Sequence, residues 1–268
     1  MASNGHSGVV PSLLVDDDPS PVTIVNPTGR SPFLLIGDHA GNSMPRRLGN
    51  LGLPQSELHR HIAWDIGVRE LGDALAEACD AVFIRQTYSR LIVDCNRDPS
   101  APDAMPPVSD GTVVAGNAAL TAEERASRTE TIHEPYHRSI NLELLRRDAC
   151  GQPSVLVSLH SFTPALTGGS PRPWHVGVLH DGGDPSFAMA FLAALRREPT
   201  LVVGDNEPYR MDLVDYTVPR HAYAAHRPYV ELEFRQDLLR HKQALQSWVE
   251  IVLNSLQAAY DITSTAER

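Results

Sequence analysis

The sequence contains no apolar run approaching the roughly 18 residues of a membrane-spanning helix, which argues against a membrane-embedded protein. It has three cysteines, Cys79, Cys95 and Cys150, with no C-x-x-C pair. A disulfide framework is therefore not expected, and a reducing cytoplasm is the expected compartment. Basic residues are outnumbered, 23 Lys and Arg against 33 Asp and Glu, and the net charge of −10 argues against nucleic acid as a partner. Neither G-x-x-x-x-G-K-[ST] nor G-x-G-x-x-G occurs, so nucleotide binding has no support. There is no G-x-S-x-G elbow for a serine nucleophile. Residues Met1 to Ser20 lack the basic start and apolar stretch of a secretory signal. Small, polar and acidic (Asp16, Asp17, Asp18), they read as a flexible N-terminal tail, 1–20.

What remains is ordinary globular composition, 42% hydrophobic and 21% charged over 268 residues. One domain over 21–268 can bury a substantial core at that length. Apolar runs alternate with helical spacing, which favours α/β layers. Phe33–Ile36, Ala81–Ile84, Leu91–Val93, Val155–Leu159, Val176–Leu179, Leu201–Val203 and Tyr229–Phe234 read as strands. Gln55–Cys79 has helical spacing, Thr121 to Glu124 is a capping box opening a helix towards Ala149, and Leu238–Tyr260 reads as a closing helix. Pro135 is expected to bend or interrupt the second of these. Pro99–Asn117 reads as a long loop, of the kind that often acts as a lid, and Thr163–Pro173 as a second, flexible loop.

Reactive groups gather where predicted strands end, the position at which open α/β sheets bind ligands. Asp38-His39-Ala40-Gly41 follows one strand, Asp94-Cys95-Asn96-Arg97 another, and His160-Ser161 a third. Each histidine alone is an ordinary turn residue. Together, with acidic residues nearby, they make a plausible metal site, because hydrolytic zinc takes three His, Asp or Glu ligands and keeps one position open. Asp65 and Glu231 are the two candidates for the third ligand, Asp65 also being readable as a structural partner for an arginine. Glu231 and Glu233 stand two apart in one predicted strand and so share a face, a costly placement for carboxylates without a role. Arg97 with Asn96 suits a carboxylate clamp, the alternative being an Arg paired structurally with Asp94 or Asp98. Arg90 offers a second positive charge, and Asn206 to Arg210, with Asn206 and Tyr209, forms a donor-rich turn. His133 and His137 could supply a further ligand or a structural contact, and a Cys95 nucleophile is the remaining non-metal alternative.

These segments resemble the N-formylglutamate amidohydrolase family, from about Ser31 to Leu239. The resemblance rests on Asp38-His39-Ala40-Gly41 with Pro45, Trp64-Asp65, Ser89 to Arg97, Ser158 to Ser161, Asn206 to Tyr209 and Glu231-Leu232-Glu233. It implies a three-layer α/β/α sandwich around a mixed central sheet, zinc-exopeptidase-like. It implies a divalent metal, zinc by expectation, bound by His39, His160 and Asp65, with Glu233 as general base. Arg90, Asn96, Arg97, Asn206 and Tyr209 would bind a small-molecule substrate, an acidic N-acyl amino acid. The sequence departs from the His-x-x-Glu ligand pair of related zinc enzymes, having Asn42 three residues after His39. A small carboxypeptidase, another N-acyl amino acid deacylase, or a non-catalytic metabolite-binding protein of the same fold are the rival readings.

Overall fold

The computed structural model describes residues 12–211 and 215–266. Its strands are β1 (Val22–Val25), β2 (Phe33–Gly37), β3 (Val82–Gln86), β4 (Val108–Ser109), β5 (Thr112–Val113), β6 (Val155–Phe162), β7 (Val176–Leu179), β8 (Val203–Asp205) and β9 (Tyr229–Arg235). The α-helices are α1 (Gln55–Leu58), α2 (Val68–Ala78), α3 (Ala122–Arg128), α4 (Glu134–Ala149), α5 (Ser186–Leu195) and α6 (Lys242–Ala266). Seven strands form one mixed sheet in the order β1-β3-β2-β6-β9-β7-β8. Strands β3, β2, β6 and β9 run parallel, while β1 and β7 run against their neighbours β3 and β9. Every residue of β2 and β6 is buried, as central parallel strands covered on both faces require.

Alternation along the strands divides the core. Leu35, Val157, Leu159, Val230 and Leu232 pack with Leu71 of α2, Phe191 of α5 and Val252 of α6. Leu34, Ile36, Leu156 and Tyr229 pack with Tyr136 and Ile140 of α4. The result is the expected three-layer α/β/α arrangement. On the α4 side the apolar face changes character towards the carboxyl ends of the strands. There Ser158 pairs with Glu231 and His160 with Glu233, so four polar side chains continue the face that Leu156 and Tyr229 begin.

Several local expectations are corrected. The helix expected over 55–79 is two helices, α1 and α2, and Asp65 lies in the turns between them. Its N–H is bonded to the carbonyl of His39 at 2.9 Å, an attachment that a continuous helix could not make. Leu91–Val93 is not a strand but a buried turn. Buried backbone needs partners, and here Asn117 Nδ2 donates to Leu91 O at 2.8 Å and Arg128 Nη1 to Ile92 O at 3.1 Å. His160 stands inside β6 rather than after it. The capping box at Thr121 and Glu124 forms, and a π-helical segment, Thr129–His133, interrupts the helix just ahead of Pro135. β1, half-exposed at the sheet edge, was not anticipated. The hairpin β4–β5 lies within the expected loop 99–117.

Residues 1–11 of the expected tail lie outside the described residues. Residues 12–20 are held against the domain rather than loose: Leu13 is buried, Tyr88 Oη donates to Pro19 O at 2.7 Å, and Arg46 pairs with Asp17 at 2.8 Å. No helix among the described residues is long and apolar enough to cross a membrane.

Candidate metal centre and active-site cavity

Three elements deliver the central group. His39 follows β2, His160 is near the carboxyl end of β6, and Asp65 is tethered between them through its N–H bond to His39 O. All three are at most 2% exposed, and one ligand atom from each lies within 4.8 Å of the others. Asp65 Oδ2 stands 3.4 Å from His39 Nδ1 and 3.1 Å from His160 Nδ1, and accepts the Ser161 N–H at 3.1 Å.

The outer nitrogen of each ring is held by an acidic or polar group. His39 Nε2 donates to Asp94 Oδ1 at 2.7 Å. His160 Nε2 is hydrogen-bonded to Ser158 Oγ at 3.1 Å, and Asp38 Oδ2, buried without a hydrogen-bond partner, stands beside it at 3.1 Å. A proton on each Nε2 leaves the Nδ1 lone pairs facing inward, the orientation carboxylate partners impose on metal-binding imidazoles. A lone pair opposite a carboxylate oxygen is repulsive unless a proton or cation stands between them. His39 Nδ1 has no hydrogen-bond partner although buried.

Charge points the same way. Burial opposes ionisation of Asp38, but the adjacent His160 Nε2 and the charges of both histidines hold its carboxyl down at about 2. Asp65 and Asp94 are likewise held well below the ordinary range against burial, Asp65 by both histidines and Asp94 by Arg90 and His39. Three carboxylates stand against the single guanidinium of Arg90, and protons on the two rings balance the remaining two negative charges, a charge that one divalent ion between neutral rings would also supply. The donor set and this charge fit a divalent cation. With no cation between them, burial disfavours the charged rings, yet the neighbouring carboxylates raise His39 and His160 above the usual histidine pKa.

The group opens onto a cavity of about 490 Å³, a size suited to a small molecule. Glu231 and Glu233 line it, each with a buried Oε2 lacking a hydrogen-bond partner. Burial pushes Glu233 up to about 7, with His160 and Arg90 opposing and Asp65 adding to the rise. Burial drives Glu231 further, well above the carboxylate range, and His160 offsets only part of it. Two like carboxylates with separated affinities for a proton can divide acid and base work.

Of the residues proposed for substrate contact, Arg90, Asn96, Arg97 and Tyr209 line this cavity. Asn206 does not belong to its lining; its Oδ1 accepts the His180 N–H at 3.0 Å. Arg90 bridges Asp94, at 2.6 Å, and Asp65, at 3.4 Å. The structural alternative of an Arg–Asp94 pair is therefore realised by Arg90, not Arg97. Arg97 Nε donates to Asp103 at 2.9 Å and Nη1 to Asn96 O at 2.8 Å. The Asn96 carboxamide is engaged by protein: Oδ1 accepts the N–H groups of Tyr216 and Thr217 at 3.0 and 2.9 Å, and Nδ2 donates to Asp215 at 3.2 Å. Tyr209 Oη accepts from Arg172 Nη1 at 2.9 Å. Cys95 is fully buried, and burial raises its thiol well above the ordinary range, so it is no nucleophile.

Sequence reasoning passed over Asp38 and Asp94 as the carboxylates beside the two imidazoles, and over His61, Arg210 and Asp215 in the lining. Asp38 and Asp94 stood inside the motifs already noted. Only their placement across the fold, Asp94 bonded to a ring 55 residues away, distinguishes their role.

The family model for N-formylglutamate amidohydrolase matches residues 31–240. Among solved structures, the gene product Atu2144 of Agrobacterium tumefaciens is 32% identical with a TM-score of 0.88, covering 96% of this chain and 100% of that one. An N-formylglutamate amidohydrolase of Ralstonia eutropha JMP134 is 20% identical with a TM-score of 0.65, covering 92% and 100%. A search of curated protein sequences returns no significant match. The chain belongs to the N-formylglutamate amidohydrolase family and is a hydrolase acting on amides.

Proposed function

We propose that this protein cleaves the amide bond of a small acidic N-acyl amino acid with a divalent ion, zinc in the first instance, held by His39, Asp65 and His160. N-formyl-L-glutamate, giving formate and glutamate, is the substrate that family membership favours. The observation carrying this reading is the pair of inward Nδ1 atoms on either side of Asp65, facing a cavity that also holds Glu233. An ion there supplies Lewis-acid polarisation and makes water easier to deprotonate.

The chain's own groups then have separate tasks. Glu233 takes the proton of the attacking water and returns it to the departing nitrogen, a role suited to a carboxyl near neutrality. Asp94 for His39, and Ser158 with the Asp38 carboxylate beside it for His160, keep the two rings in the tautomer that points Nδ1 inward. Arg97 receives the substrate carboxylate. Its pairing with Asp103 is no obstacle, because that aspartate side chain is 53% exposed and such surface pairs contribute only about 0–1 kcal/mol; the cavity-lining Asp215 is a more distant neighbour, 3.9 Å from Nη1. The short-range fork is needed because a protein of net charge −10 gives an anion no long-range attraction.

Metal analysis of the purified protein, with formate and amino acid release measured over a panel of N-acyl amino acids, tests the reading. About one equivalent of divalent ion is expected, with activity lost on chelation and regained on adding the ion, and N-formylglutamate among the best substrates. Full activity in metal-free protein, or no hydrolysis of any panel member by metal-loaded protein, would overturn it.

A further inference from the structure

Behind the Asp94–Arg97 loop lie three buried histidines, His133, His137 and His221, exposed by 0, 1 and 8%. They take no part in the metal centre. Two of them are placed by π-helical segments: Thr129–His133 ends on His133, and Pro219–Tyr223 contains His221. Such segments are uncommon and concentrate at functional sites. His133 Nε2 lies 3.1 Å from Arg97 O, and His137 Nε2 lies 2.9 Å from Cys95 O. A carbonyl only accepts, so both Nε2 atoms carry the proton. His137 Nδ1 is then a lone pair, and receives the Nε2–H of His221 at 3.0 Å. The rings of His137 and His221 are near-coplanar, 18° apart.

Cys95 and Asn96 form the centre of a turn closed by Arg97 N–H to Asp94 O at 3.3 Å, with Asn96 N–H donating to Asp94 Oδ1 at 2.8 Å. Residues four apart on a helix share a face. Two histidines on one helical face thus meet two carbonyls separated by a single residue, Asn96. From the other side, Asn96 Oδ1 accepts two N–H groups of the 216–217 segment. Thr217 Oγ1 in turn donates to Asp38 Oδ1 at 2.8 Å, joining the loop to the carboxylate that stands beside His160.

We propose that His137 and His133 are positioning residues, fixing the Cys95–Arg97 backbone so that Arg97 and the Asp94 partner of His39 are held in place at the cavity. The proposal rests on the reading of that loop as a substrate-contacting one. Apolar residues could fill the same volume, but would strip the Arg97 carbonyl of its histidine donor, at about 1–3 kcal/mol, and leave the Cys95 carbonyl only the Thr217 hydroxyl at 3.2 Å, whose single proton Asp38 Oδ1 also accepts at 2.8 Å. Burial lowers the pKa of His137 well below the usual histidine value and that of His133 less far, which keeps both rings in the neutral donor form.

The test compares His137→Leu, which removes the donor, with His137→Gln, whose Nε2 amide can still reach the Cys95 carbonyl. Hydrogen–deuterium exchange is followed over residues 94–98 and over β6, beside KM and kcat for N-formylglutamate on metal-loaded protein. In His137→Leu, exchange over 94–98 should rise at least about tenfold with β6 unchanged, and KM should rise about tenfold with kcat altered less than about threefold, within the range seen for outer-shell partners. His137→Gln should stay near wild type in both. Should the Leu protein fail to fold, His137→Asn, whose amide stops short of the carbonyl, takes its place. Unchanged exchange over 94–98 in the donor-less variant, or equal disturbance by Gln, would overturn the proposal. A wild type inactive on N-acyl amino acids overturns the functional reading instead, and the exchange data still decide the positioning role.

Discussion

Glu233 is the residue on which the chemistry turns, and its surroundings make it testable. Its Oε2 is buried without a hydrogen-bond partner, so the isosteric Glu233→Gln breaks no hydrogen bond of that atom. The variant should keep the fold and the bound ion while kcat falls by roughly 10²–10⁴-fold, the contribution of a positioned proton carrier. Near-wild-type turnover, with metal content and melting temperature unchanged, would pass the role to Glu231. Arg97 is a different case, since it already has Asp103 and Asn96 O as partners. Arg97→Ala should lower kcat/KM at least about tenfold for a free-acid substrate, a hydrogen bond to a charged group contributing about 1.5–3 kcal/mol. An amide-capped substrate should lose much less, and steady-state kinetics on both forms check it. Equal losses would mean that Arg97 only supports the loop. Asn96 lines the cavity with its carboxamide oxygen held by two backbone N–H groups, which fixes the direction of the amide nitrogen.

At the scale of elements, the metal centre depends on how closely two backbone segments approach. A Cβ on Gly41 would lie 2.1 Å from Thr87 O, which is backbone and has little freedom to yield. The two segments are stitched by Ser43 N–H to Thr87 O at 3.1 Å and Ser89 N–H to Ser43 O at 2.9 Å. Gly41→Ala must therefore push the turn after β2 away from the chain beyond β3, carrying His39 with it. Overpacking of this kind costs about 1–3 kcal/mol. The expected result is a melting temperature lower by several degrees together with weaker metal binding, measured by calorimetry and by competition with a chelator. Loss of stability with metal affinity unchanged would show that His39 is held by Asp94 alone. A glycine beside a histidine was visible in the sequence as a turn, but the reason for it is the Thr87 carbonyl, 46 residues away.

For the whole molecule, buried neutral histidines make stability depend on pH. Burial depresses His221 from its ordinary value to about 4, with Arg220 opposing protonation further and Asp38 favouring it. The unfolded chain, titrating near 6.5, binds a proton that the folded chain refuses. This contribution is therefore fully present above about pH 6.5 and is lost as pH falls towards 4. At 1.36 kcal/mol per unit it amounts to roughly 3 kcal/mol. His221→Gln should flatten the part of the stability curve between pH 6.5 and 4 while leaving the part above pH 7 parallel to wild type. Urea unfolding of metal-loaded protein at a series of pH values would reveal it, and identical curves for the two proteins would remove His221 from the account.

What the sequence determined by itself is what local chemistry writes: the apolar runs of β2, β6 and β9, the capping box at Thr121, the interruption near Pro135, and the polar residues waiting at strand ends. Period-two alternation alone put Glu231 and Glu233 on one face, and the register of β9 against β6 then set them beside Ser158 and His160. Short apolar stretches are ambiguous, and Leu91–Val93 misled because a buried turn and a buried strand present the same composition. Only tertiary structure decided that Asp65 leaves the helix to bond His39 O, because that attachment joins segments 26 residues apart. It likewise decided that Asp94 holds the outer nitrogen of His39, that Asp38 stands beside that of His160, and that two backbone N–H groups hold the Asn96 oxygen. Burial strips water from these groups, so each must find its partner across the fold, and those partners lie too far along the chain for any local pattern to record.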